Sequence, residues 1–131
     1  MRAVYFSEFD GESIDVRDVP EPERPTGREV LIRVHAAGLN RADLLQSKGA
    51  YPPPAGYSAN IPGLEFAGEV AEVGGDASRF TTGDRVMAIT SGEAQAEFVK
   101  IDERLLMRVP EKLSSAEAAA IPEAFITAHD A

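Results

Sequence analysis

Turn signals interrupt this chain so often that long helices have little room to form. Asp10-Gly11, Gly74-Gly75-Asp76, Gly83-Asp84 and Ser91-Gly92 each mark a tight turn. Short apolar or alternating runs lie between them. The clearest is Glu29 to Ala37, with Val30, Ile32, Val34 and Ala36 on one face and Leu31, Arg33 and His35 on the other. Shorter strands are expected at Ala3–Phe6, Ile14–Val19, Phe66–Val73, Arg85–Ile89, Ala94–Ile101 and Leu105–Val109. Many short strands with frequent turns point to a barrel or sandwich. Pro20, Pro22 and Pro25 make an extended connector rather than a strand interior.

Two segments depart from the β pattern. Asn40 to Lys48 reads as a short helix, with Asn40 placed to cap its start and Gly49 to end it. Ser114-Ser115-Ala116-Glu117 opens an alanine-rich helix with a capping-box pattern, interrupted near Pro122. Residues Glu123 to Ala131 read as helical and carry no glycine or proline stop signal, so the helix is expected to be cut off rather than finished.

Composition narrows the function classes. A length of 131 residues suits one domain with a single core, and 44% apolar with 27% charged residues is ordinary for a globular chain. A formal charge of −9 argues against nucleic acid and against anionic membrane surfaces as partners. The chain has no cysteine, which removes disulfides, thiolate nucleophiles and every cysteine-ligated metal centre. No apolar run approaches the roughly 20 residues that span a bilayer. Met1 to Phe6 enters a strand-like stretch directly, without a signal-peptide apolar region, so a cytoplasmic location is expected.

Three side chains are candidates for chemistry. Asn40 and Asp43 lie three residues apart at the start of the expected helix, and Tyr51 follows its exit. An amide, a carboxylate and a phenol at one mouth would make a small polar site. Each also has a plain structural use: Asn40 as a cap, Asp43 as a first-turn acid, Tyr51 as a packing partner of the prolines. His35 reads as a surface histidine on the alternate face of its strand, and His129 has no evident partner.

Several ordered motifs carry a family resemblance. They are Pro-Thr-Gly-Arg-Glu-Val-Leu-Ile-Arg-Val from Pro25, Ala-Ala-Gly-Leu-Asn-Arg-Ala-Asp from Ala36, Lys-Gly-Ala-Tyr-Pro from Lys48 and Pro-Gly-Leu-Glu-Phe-Ala-Gly-Glu-Val from Pro62. Thr-Gly-Asp-Arg-Val from Thr82 and Ala-Ala-Ile-Pro-Glu-Ala from Ala119 complete the set. Together they resemble the N-terminal catalytic domain of medium-chain dehydrogenase/reductases. Among those, the chain is most similar to the zinc-free quinone oxidoreductases, a group that includes zeta-crystallin. Leu39 to Gln46 and Leu105-Leu106-Met107 are especially similar to the tumour-suppressor-inducible quinone reductase branch.

The resemblance implies a mainly β fold with short helices, a GroES-like twisted and partly open β-barrel over residues 1–122. Residues 123–131 would begin a linker helix toward a Rossmann dinucleotide-binding domain. In zinc-dependent relatives the residue matching Asn40 is a cysteine ligand and the one matching Leu64 a histidine; neither replacement is a useful zinc ligand. Glu65 is retained, but alone it makes no site. The resemblance further implies hydride transfer from NADPH or NADH to a quinone, with no zinc. Asn40 would orient the nicotinamide or a carbonyl oxygen, Tyr51 would donate to the developing oxyanion and Asp43 would position the network or relay a proton. Thr127 matches a residue that contacts the nicotinamide carboxamide.

No Gly-x-Gly-x-x-Gly run is present, so most of the cofactor site is expected in the other domain. The isolated chain is accordingly expected to fold yet turn over poorly, and the parent to be a homodimer. Two other readings use the same residues: a zinc-free enoyl or enone reductase, and a non-catalytic binding or assembly module on the same barrel.

Overall fold

The computed structural model describes all 131 residues. Strands β1 (Arg2–Phe6) and β2 (Ile14–Asp18) form an antiparallel hairpin around the turn at Gly11. The remaining strands are β3 (Glu29–Ala37), β4 (Glu65–Val73), β5 (Arg85–Ile89), β6 (Phe98–Asp102) and β7 (Met107–Arg108). They form one antiparallel sheet in the order β6-β3-β4-β5-β7. An Ala3–Ala96 bridge and hydrogen bonds from Val4 N to Gln95 O and from Glu97 N to Arg2 O join the hairpin to this sheet. The result is a pair of twisted sheets that leave the barrel open, as a GroES-like fold requires.

The core lies mainly on one side of the large sheet. Val30, Ile32, Phe66, Val70, Val86, Ala88 and Val99 pack there with Phe80 and Leu106 from the loops. A second cluster covers the other side: Ala67 and Met87 meet Val109 and two alanines of α2 (Ser115–Ala119), Ala118 and Ala119. Strand β4 is therefore apolar on both faces near its start, which explains why Phe66-Ala67 does not alternate with polar residues.

The alternation expected along β3 fails at one place, and the reason is a β-bulge. Val34 pairs with Gly68 but Ala36 pairs with Ala67, so His35 is an unmatched extra residue. One added residue reverses the facing of everything after it. Ala36 consequently packs with the second cluster, while Val34 stays with the first. His35 is left exposed, as a surface histidine should be. Gly68 is required opposite the bulge, because a Cβ there would run into the Arg33 carbonyl oxygen.

Other boundaries move for local reasons. The first helix, α1, is Arg41–Gln46, shorter than expected; Ser47 and Lys48 close it as turn residues before Gly49 at φ +70°. Leu105 belongs to a 3₁₀ turn, Glu103–Leu105, because the Asp102 side chain accepts from Arg104 N at 2.9 Å and starts it. Pro122 does interrupt the C-terminal helical stretch. It occupies the first position of α3 (Pro122–Asp130), where its missing N–H costs no bond. None of these helices is long and apolar enough to cross a membrane.

Phe66 is the largest fully buried side chain, at the centre of the principal cluster. Replacing Phe66 with Ala leaves a cavity under three strands and should cost about 3–5 kcal/mol. Urea unfolding followed by circular dichroism measures this; a loss under about 1 kcal/mol would show that the cluster collapses onto the gap.

Candidate active site

Strand β3 ends at Gly38 and the chain turns directly into α1, with Asn40 at the N-cap as expected. The bond that caps the helix comes from Asp43, whose Oδ2 accepts from Asn40 N at 2.8 Å. The Asn40 side chain also reaches across to β4: its Nδ2 donates to Glu65 Oε1 at 2.9 Å. The other oxygen, Glu65 Oε2, accepts from Glu123 N at 2.9 Å, in the first turn of α3. Glu65 is 3% exposed, so both of its oxygens meet protein donors instead of water. One buried carboxylate thus joins α1, β4 and α3.

Gly38 makes this possible. A Cβ at Gly38 would coincide with the Glu65 carboxylate, and Gly38 N also donates to Glu65 O at 3.2 Å. The glycine is there for close approach.

Asp43 belongs to a second, adjoining set of bonds. Its Oδ1 accepts from Gly63 N at 3.2 Å and its Oδ2 also accepts from Gln95 Nε2 at 3.2 Å. The residue is buried. Burial pushes the Asp43 carboxyl above its usual range; the donors on Asn40, Gly63 and Gln95 oppose this, and the nearby Glu65 carboxylate reinforces it. Both oxygens are committed to holding α1 against the 62–64 and 94–95 segments.

Tyr51 lies in a different part of the site. It lines a half-open cavity of about 300 Å³ with Pro54, Leu64, Thr90, Ser91 and Glu123. Nearly half of Tyr51 is exposed (46%), so a ligand in the cavity can reach it. Asn40 and Asp43 are thus directly joined, while Tyr51 is linked to them only through Glu123, which both lines the cavity and bonds Glu65. Thr127 is exposed one turn along α3, with its hydroxyl 3.5 Å from Glu123 Oε1. His129 is exposed and lies 3.3 Å from Asp130.

Glu65, Gln95 and Glu123 were not singled out as working parts by sequence reasoning. Glu65 had a signal in its place beside Leu64 in the Pro62–Gly68 motif. Glu123 had a weaker one, an acid immediately after a helix-opening proline. Gln95 had none, since a lone glutamine in a strand-like run is ordinary.

The comparisons with known proteins agree with this architecture. The alcohol dehydrogenase GroES-like domain family matches residues 26–126. The chain belongs to that family. Quinone oxidoreductase-like protein 2 of Mus musculus is 42% identical over 108 residues, which covers 80% of this chain and 30% of that protein. A chloroplastic quinone-oxidoreductase homolog of Spinacia oleracea is 38% identical over 138 residues, covering 100% of this chain and 41% of that protein. The crystal structure of human synaptic vesicle membrane protein VAT-1 homolog-like protein superposes with a TM-score of 0.88 at 36% identity, over 98% of this chain and 41% of that one. The chain therefore spans less than half the length of these relatives.

Within this GroES-like domain the metal question can be put to the donor set. Leu64 has no donor atom, Asn40 offers an amide, and the Glu65 carboxylate is already shared by two N–H donors. No three His, Asp or Glu side chains converge on a point suited to a metal ion. Such a set does not fit zinc, which takes nitrogen, sulfur or carboxylate ligands, usually three or four of them from the protein.

Replacing Asp43 with Asn tests the second set of bonds. Asparagine offers one acceptor oxygen where the carboxylate offers two, so an N–H donor would face an NH₂ group. The variant should lose about 1–3 kcal/mol. The raised Asp43 pKa means that the folded chain holds this proton more tightly than the unfolded chain, so ionisation disfavours folding. The gap between wild type and variant should therefore narrow as pH rises through that pKa. Thermal unfolding from pH 4 to 8 reads both effects, and a variant as stable as wild type at every pH would contradict them.

Proposed function

We propose that this domain forms the acceptor-side wall of an NAD(P)H-dependent oxidoreductase that reduces a quinone without a metal. The observation that carries the reading is the linked pair of the Asn40–Glu65–Glu123 bridge and the Tyr51 cavity. The names of the mouse and spinach relatives support the quinone as acceptor. A location in the cytoplasm belongs to the same proposal.

The chain fits one end of the cofactor only. Its strand–glycine–helix turn, β3–Gly38–α1, does not suit a pyrophosphate, because the Glu65 carboxylate fills the space beside Gly38. Asn40 and Thr127 suit the nicotinamide end: Asn40 is only partly buried and its amide is oriented, and Thr127 presents an exposed hydroxyl from α3. A dinucleotide would find its phosphate contacts outside these residues. A reduced nicotinamide, when bound, supplies the hydride.

The protein's own residues then have distinct tasks. Glu65 holds the Asn40 amide in one orientation, so its ends meet a ligand in a fixed sense. The Tyr51 hydroxyl donates a hydrogen bond to the acceptor oxygen as negative charge builds there. Leu64, Pro54 and Pro52 give the cavity an apolar wall suited to a planar ring. A quinone needs no strongly polarising metal, since it is already electrophilic and its reduced oxygen is stabilised by the ring. An enone shares these features, and an acceptor series separates the two.

NADPH oxidation by the full-length protein, with 1,4-naphthoquinone and an enone as alternative acceptors, tests the reading. Asn40→Ala and Tyr51→Phe should each lower quinone kcat/KM, with about a 10²-fold loss for removal of an oxyanion donor. Unchanged activity in both would remove these residues from the site, and preference for the enone would reassign the acceptor. Stoichiometric zinc in the purified protein would refute the metal-free reading. In the 131-residue chain alone, fluorescence titration should find weak NADPH binding; tight binding would place the cofactor site within this domain.

A further inference from the structure

We infer that Glu123 sets the charge of the acceptor, admitting neutral and hydroxyl-bearing rings and excluding anionic ones. The inference rests on the reading of the Tyr51 cavity as the acceptor site, and it deepens that reading. Glu123 is the only charged side chain that lines the cavity; the others are a phenol, two prolines, a leucine and two hydroxyls. No lysine or arginine lines the cavity, and Glu123 takes part in none of the chain's ion pairs. Its only side-chain bond is the long one from Thr127, at 3.5 Å to Oε1.

Its backbone position is also fixed. Pro122 presets the backbone at the first helical position, and Glu123 N is tied to the buried Glu65 Oε2 at 2.9 Å. The backbone of Glu123 therefore cannot leave the wall without unwinding the first turn of α3, and side-chain rotation alone moves the carboxylate within reach of the cavity. A ligand hydroxyl can donate to it in a charge-assisted bond. A sulfonate or carboxylate on the ring meets a like charge at short range, with no cation in the lining to offset it. The same wall that welcomes a hydroxyquinone turns away an acid.

Redox-inert probes separate this selection from turnover. Binding of 2-naphthol and of 2-naphthalenesulfonate to the 131-residue chain is followed through the backbone amide resonances of Tyr51, Leu64 and Ser91. Wild type should bind the naphthol about tenfold or more tightly than the sulfonate, which corresponds to about 1.4 kcal/mol. Glu123→Gln keeps the backbone bond to Glu65 and the side-chain volume, and should shrink that ratio to about threefold or less. Glu72→Gln lies seven residues along β4 from Glu65, about 23 Å at strand spacing, and should leave the ratio as in wild type.

Three results would overturn the inference: an unchanged ratio in Glu123→Gln, an equal change in Glu72→Gln, or no response of those amides to either probe. Charge selection without quinone turnover in the full-length protein would instead refute the reductase reading and leave the role of Glu123 intact.

Discussion

The site depends on one carboxylate that has been taken out of water. Burying a charge is costly unless hydrogen bonds replace its hydration, and Glu65 meets that condition with donors from two different helices. Either donor alone would leave an oxygen unsatisfied. The ion therefore requires α1 and α3 to be in place together, and it converts a stability requirement into a positional one. Asp43 repeats the device beside it, joining α1 to the segments at Gly63 and Gln95. Burial first, and the nearby Glu65 carboxylate after it, raise the Asp43 pKa, and the surrounding N–H donors oppose that cost.

This arrangement fixes the backbone of Glu123 at the cavity wall and the direction of the Asn40 amide. Asn40 is oriented by Glu65, and Glu123 is anchored by the same residue at its backbone. The directions of these groups are settled during folding, which is the structural content of preorganisation. Tyr51 is held differently, on the loop that follows Gly49, and is nearly half open to solvent.

Much of this was legible in the sequence, and the failures have physical causes. The strand count, the capped and glycine-ended helical stretch after Asn40, the capping box at Ser114 and the interruption at Pro122 all follow from local preferences that the fold leaves undisturbed. The facing of Ala36 was not legible, because a bulge at His35 is a matter of pairing between two strands and leaves no local mark. Asn40, Asp43 and Tyr51 stood out because they are polar residues at marked turns. Glu65 and Glu123 work through a contact that spans 58 residues of chain, and no window of sequence contains both ends of it. Residue type pointed to the right neighbourhood; long-range contact decided which atoms meet.

The double coverage of β4 has a consequence for how the protein breathes. With β3 and β5 on its flanks and an apolar cluster on each face, the start of β4 can exchange its amide hydrogens only when the whole sheet comes apart. The β2 strand is exposed along its full length and can peel away at far smaller cost. Because Glu65 is the first residue of β4, the carboxylate that orients Asn40 and anchors the Glu123 backbone hangs from this protected strand. Fraying of the hairpin or of the Tyr51 loop leaves it untouched. Warming should thus blur the Tyr51 loop well before it disturbs that carboxylate.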